Sequence, residues 1–345
     1  MTIDRRTFGK TIGLGLGAAA VSMTGLAGPA AAAVHSGSTG EVTPSKSFAG
    51  LKQVKAGLLN VGYAELGPAH GPVVICLHGW PYDIHSYVDV APLLAAEGYR
   101  VIVPYLRGYG TTRFLSAGTA RNAQQSAFAL DIIALMDALR IKKAVLAGFD
   151  WGSRTADCIA ALWPHRVKAL VSVSGYLITN LEAQKTPLPP KSEYAWWYQY
   201  YFATERGERA MNIQQDRHDL ARLVWDVVSP TWNFDDTTFE RTAAAFENPD
   251  YPAIVIGNYR WRLGLVPGER RYDHYENILQ TKPLITVPTV TLDPSRDPFT
   301  APGNGSTYRN MFTGKYQHHT LDVGHNLPQE APADFAAAVI EADNL

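Results

Sequence analysis

The chain has 345 residues, 46% hydrophobic and 18% charged, enough to bury the core of one large α/β domain or of a core carrying an insertion. A formal net charge of −1 offers no electrostatic case for a nucleic-acid partner or an acidic membrane surface. Cys76 and Cys158 are its two cysteines. No Cys/His spacing fits a metal site, and both cysteines fall in apolar surroundings that suit free thiols.

Residues 1–33 do not read as part of a fold. Arg5 and Arg6 precede Phe8 and Lys10, an apolar Gly/Ala-rich run follows, and small residues suited to cleavage lie near Ala33. This is the pattern of a twin-arginine export signal. It makes the export machinery a partner, places the product in the periplasm or outside the cell, and leaves no stable membrane association after processing. The run GLGLGA at 13–18 fits a dinucleotide fingerprint in letters only. No strand precedes it, so no cofactor is expected. Residues 34–48 are polar and rich in Gly, Ser and Thr, and read as a linker.

Strand-like runs follow at 50–56 and 59–66. VVICL, 73–77, is a continuous apolar run of the kind a doubly covered parallel strand shows. Residues 88–98 suit a helix and RVIVP, 100–104, another strand. Residues 123–139 repeat apolar positions at helical spacing. KKAVLA, 142–147, is a strand, SRTADCIAALW, 153–163, a helix, and VKALVSVSG, 167–175, a strand. Strands alternating with helices imply a parallel sheet with right-handed crossovers. The alternation stops near Gly175. Residues 192–282 are aromatic-rich and helical, and strands return at 283–292 and 316–323 before a closing helix at 330–342. The expected organisation is a core at 49–175, a helical cap at 176–282 and the rest of the core at 283–345.

Four stretches carry the chemistry. GFDWG, 148–152, places Asp150 between two glycines at a strand-to-helix turn, a position where an aspartate can also serve as a plain helix cap. Asp297, in LDPSRDP, and His325, in DVGHNLPQE, each follow a strand, where a parallel sheet presents functional residues. Asp293 competes with Asp297 for the acid's place. HGWP, 78–81, follows the VVICL strand, so the amides of Trp80 and Trp151 can form an oxyanion hole.

HGWP, GFDWG, the acid at Asp297 and GHNLP together resemble the epoxide hydrolase and haloalkane dehalogenase branch of the α/β-hydrolase superfamily, over essentially everything after residue 50. The resemblance implies an α/β-hydrolase fold, a mostly parallel sheet with helices on both faces and a helical cap insertion. It also implies an aspartate nucleophile at Asp150 in place of serine. Carboxylate attack on a saturated carbon gives an alkyl ester, which water activated by His325 hydrolyses while Asp297 orients the imidazole. The substrates expected are a small molecule and water.

Epoxide hydrolases of this branch polarise the ring oxygen with two cap tyrosines. WYQYYF, 197–202, resembles the first stretch, with Tyr198 at the matching place, and GNYRWRLG, 257–264, offers Tyr259 as the second. On one helix Tyr194, Trp197, Tyr198 and Tyr201 share a face, which leaves Tyr201 as the competitor to Tyr198.

Haloalkane or haloacetate dehalogenation is the rival activity. Many haloalkane dehalogenases have Asn where Trp80 stands. Fluoroacetate dehalogenases have arginines one and four residues after the nucleophile, of which only Arg154 is present here. Arg154 and His85 are therefore candidate substrate-binding residues. Tyr105 stands where the family often has Asp, and Pro294 where a Gly usually precedes the acid. A non-catalytic binding protein on the same fold is the alternative of a different class.

Overall fold

The computed structural model describes residues 46–299 and 304–345. The export signal read over 1–33 and residues 34–45 of the linker lie outside the described residues. Nine strands form one sheet: β1 (Lys52–Ala56), β2 (Leu59–Leu66), β3 (Val73–Leu77), β4 (Arg100–Pro104), β5 (Arg113–Phe114), β6 (Ala144–Gly148), β7 (Val167–Val173), β8 (Thr289–Pro294) and β9 (Tyr316–Leu321). Their order is β1-β2-β4-β3-β6-β7-β8-β9, with β5 beside β2. β2 runs antiparallel to β1, β4 and β5, while the pairings from β4 through β9 along the sheet order are parallel.

The apolar run VVICL is central because both its faces must be covered. Val74, Ile75, Cys76 and Leu77 have no exposed surface, and β3 pairs with β4 on one side and β6 on the other. The chain thus leaves β3 in one direction and later returns on its opposite side. That reversal opens a crevice at the carboxyl ends of β3 and β6. Helices Val90–Ala96 and Pro332–Asn344 pack together against the sheet, and helices Gln125–Ala138 and Trp151–Leu162 form a second packed pair. Cys76 and Cys158 are both buried and unpaired, and burial pushes both thiols up, which leaves them unreactive.

The cap between β7 and β8 is helical, with no strand among its described residues. The strand expected over 283–292 begins later, at Thr289. Pro283 and Pro288 have no N–H to give a ladder, and only an isolated bridge, Ile285 to Phe312, forms before it. The single helix expected across 194–202 is in fact two, Pro190–Ala195 and Trp197–Ala203, broken at Trp196. The break turns Tyr194 out to 79% exposure while Tyr198 stays buried, so Tyr194 is not part of the expected aromatic face.

The loop after β4 is tied down from beneath. Arg107, fully buried, grips Asp131 of the helix Gln125–Ala138 with two bonds of 2.6 and 2.8 Å and donates to the carbonyls of Asn122 and Ala127. A buried pair of this kind adds little over an apolar pair, but a lone survivor is costly. Arg107→Leu is expected to lose about 3–5 kcal/mol of stability in urea unfolding, and Arg107→Leu with Asp131→Leu to recover most of it. A double variant as unstable as the single one would contradict this.

Candidate active site

Asp150 is the second residue beyond β6, at φ 53° and ψ −124°. Side chains adopt that region only under constraint, at a cost of order 1–3 kcal/mol. The constraint is close packing. A Cβ on Gly152 would lie 1.8 Å from the Leu77 carbonyl oxygen, and one on Gly148 would lie 2.4 Å from the Gly152 carbonyl carbon. With no side chain at either place, β6 and the helix Trp151–Leu162 press onto β3 and lift the Asp150 carboxylate over the sheet edge. The Gly152 N–H donates to the Phe149 carbonyl at 2.9 Å and the Arg154 N–H to the Asp150 carbonyl at 3.1 Å, locking the turn.

HGWP meets the carboxylate from β3. The Trp80 N–H donates to Asp150 Oδ1 at 2.8 Å. The Trp151 amide opens its helix, where an N–H has no intrahelical acceptor. Asp297 and His325 arrive from the ends of β8 and β9. His325 Nδ1 lies 2.7 Å from Asp297 Oδ2, and its Nε2 lies 3.5 Å from Asp150 Oδ2. The other Asp297 oxygen accepts the Phe299 N–H at 2.8 Å. Asp293 instead accepts the Tyr308 hydroxyl at 2.7 Å, and the structure does not bring it to His325.

The cap closes the crevice with aromatic rings. Tyr198 and Tyr259 are buried with centroids 5.4 Å apart, at 4.9 and 5.5 Å from Trp80. Burial, each other and the Asp150 carboxylate push the Tyr198 phenol up, and burial and Asp150 do the same to Tyr259. Both phenols are therefore protonated donors. Tyr201 is half-buried and packs on Trp197 and Phe202. His85 bonds Asp83 at 2.8 Å and stacks on Phe48. Among the described residues neither Tyr201 nor His85 makes a ring contact with Trp80, Tyr259 or His325. Arg154 is buried, with Nε donating to the Leu177 carbonyl at 3.2 Å.

Several supporting residues left no mark in the sequence. Glu330 accepts the Gly324 N–H and the Ser229 hydroxyl, each at 2.7 Å, bracing the loop that carries His325. The His325 N–H itself donates to the Val228 carbonyl of the cap. The Trp225 indole donates to the Pro81 carbonyl at 2.8 Å, pinning the cap to HGWP. A glutamate or tryptophan at such places has no spacing that distinguishes it from an ordinary helical residue.

Electrostatics couples the two reacting groups. Burial disfavours charge on His325, but the carboxylates of Asp297 and Asp150 outweigh it and push its pKa up to about 10 from the ordinary 6.5. Asp150 is held low against the same burial cost by His325, Arg154 and the Trp80 N–H. The resting pair is imidazolium and carboxylate. Because the folded pKa is raised, the stabilisation is complete below the ordinary value of 6.5 and disappears as pH rises through about 10. Imidazole NMR of the resting protein should show His325 still protonated at pH 8, and Asp150→Asn should lower the midpoint by removing one of the two carboxylates. A midpoint near 6.5 that Asp150→Asn leaves in place would contradict this coupling.

A family model described as the alpha/beta hydrolase fold matches residues 72–332. A crystal structure from Klebsiella pneumoniae subsp. pneumoniae, provisionally assigned as an epoxide hydrolase, is 57% identical, with a TM-score of 0.84 over 88% of this chain and 100% of that one. Epoxide hydrolase 3 of Siraitia grosvenorii is 39% identical over 104 residues, 30% of this chain and 32% of its own length. The chain thus spans about a third of that curated relative. Epoxide hydrolase A of Mycobacterium tuberculosis aligns far more fully, over 80% of this chain and 92% of its own, at 24% identity.

Proposed function

Because the chain belongs to the α/β-hydrolase family, in its epoxide hydrolase and haloalkane dehalogenase branch, we propose that it hydrolyses an epoxide to a diol through an ester on Asp150. The observation that carries this proposal is the line Asp297–His325–Asp150 beneath two buried phenols. Asp150 Oδ1 is already engaged by the Trp80 N–H, so Oδ2 attacks the ring carbon. The carbon–oxygen bond of the ring breaks, and the developing alkoxide takes a proton from Tyr198 or Tyr259. Ionised phenols would be useless here, and burial keeps both protonated.

Ester formation removes the charge of Asp150. His325 then faces one carboxylate instead of two, its proton affinity falls, and the ring can act as a base once its proton has passed through solvent to the tyrosinate. Water attacks the ester carbonyl carbon and gives its proton to Nε2. The oxyanion develops on the oxygen held by the Trp80 amide, with the Trp151 amide beside it. Collapse breaks the bond between the carbonyl carbon and the alkyl oxygen, the proton of the added hydroxyl passes to that oxygen to complete the diol, and the resting Asp150 carboxylate and His325 imidazolium are restored. Export by the twin-arginine route is part of the same proposal and rests on Arg5, Arg6 and the apolar run after them.

One observation favours a second reading. The Trp151 indole N–H is buried without a partner, and a leaving halide needs only such a weak donor. Turnover on aryl epoxides and on alkyl halides separates the two: diol without halide supports epoxide opening, and halide without diol moves the assignment to dehalogenation.

The covalent step gives a direct test. His325→Gln should accumulate an adduct, seen as a peptide containing Asp150 heavier by the mass of the intact epoxide. Asp150→Ala should show no adduct and no turnover. Tyr259→Phe and Tyr198→Phe should each lower kcat on epoxides by about a hundredfold, the usual worth of a positioned acid. Full activity in both phenylalanine variants would remove the phenols from the mechanism.

A further inference from the structure

Two buried arginines flank the reacting groups, each with a guanidinium nitrogen left unpartnered. Arg154 is 8% exposed, and its Nη1 has no hydrogen-bond partner. Arg262 is 5% exposed, and its Nε has none. Among the described residues neither guanidinium forms an ion pair. Buried charges are ordinarily paired, because an uncompensated one is among the most destabilising groups a fold can hold.

Geometry puts both at the site. The Arg262 guanidinium lies 5.5 Å from the Tyr259 ring and 5.3 Å from that of Trp196. Trp196 packs on Phe299, which packs on His325. Arg154 lies on the helix that Asp150 opens, and Trp151 of that helix packs on Tyr259. The indole N–H of Trp196 adds a third buried donor without a partner. Burial and the nearby charge of Arg262 lower Arg154 to about 10, which still leaves Arg154 cationic at neutral pH.

The acids facing them do not cancel this charge. Asp150 is shared with His325. Asp157, pushed up by burial to about 7, spends one oxygen on the Leu177 N–H at 2.7 Å. Cation–π contact with Trp196 and Tyr259 softens the burial of Arg262 but leaves its Nε–H unsatisfied. The complementary ligand for planar, forked donors in a closed site is a carboxylate.

We infer that Arg154 and Arg262 form a carboxylate-binding subsite beside Asp150, so that the substrate is an epoxide bearing a carboxylate. The identity of the reacting group rests on the hydrolase proposal above, whereas the anion site does not. Turnover of phenylglycidate, its methyl ester and styrene oxide, together with calorimetric binding of phenylacetate, tests both.

The wild type should favour phenylglycidate over both neutral epoxides by about tenfold or more in kcat/KM, the worth of one charge-assisted bond. Arg262→Gln and Arg154→Gln should each shrink that ratio about tenfold, chiefly through KM. Equal or better turnover of the neutral epoxides by the wild type would overturn the subsite while leaving epoxide hydrolysis standing. Turnover of none of the three would overturn epoxide hydrolysis, and phenylacetate then decides the subsite alone. Binding to the wild type that Arg262→Gln weakens at least about tenfold upholds it, and no binding overturns it. If the arginine variants do not fold, phenylacetate binding to the wild type, competitive with any epoxide turned over, serves as the deciding result.

Discussion

The backbone of Asp150 is the constraint on which the site depends. A carboxylate at positive φ is not a conformation the chain would choose locally. It persists because β3, β6 and the following helix meet so closely that glycine alone fits at 148 and 152. Three consequences follow from one geometry. The carboxylate stands clear of the sheet edge, the Trp80 amide reaches one of its oxygens, and the other oxygen is left toward His325. A looser crossing of strand and helix would lose all three together.

The electrostatic arrangement follows from that placement. His325 sits between a permanent carboxylate, Asp297, and a carboxylate that the proposed reaction consumes. Its proton affinity therefore tracks the state of the nucleophile. Before attack the ion pair keeps Asp150 anionic despite burial, and in the proposed ester the same histidine becomes the base. The Glu330 and Ser229 brace matters for this reason, since a fraction of an ångström at Gly324 would separate His325 from both acids.

The sequence made the strand ends legible because continuous apolar runs and tight glycine turns are local signals. Asp150, His325 and Asp297 stand at such ends, and the structure brings them into hydrogen-bonding or near-contact range. Other features depend on tertiary packing and were hidden. The break at Trp196 divides an aromatic stretch that reads as one helix, so helical spacing alone could not separate Tyr198 from Tyr194. The prolines around β8 delayed a strand whose apolar content suggested an earlier start. Arg262, in RWRL, looks like an ordinary basic residue at a helix end, where the dipole favours it, yet it is buried over two rings. His85 looked available to the pocket, but its ring is taken up by Asp83 and Phe48.

The central claim is that Asp150 forms a bond to the substrate carbon, and a single turnover in water labelled with heavy oxygen tests it most directly. With enzyme in excess over a reactive epoxide, the label should enter the Asp150 carboxylate. The diol from that first turnover should carry no label, its two oxygens being the epoxide's own and the one Asp150 gave up. Label in the diol after one turnover, with Asp150 unlabelled, would mean that water attacks the epoxide itself and would contradict the covalent route.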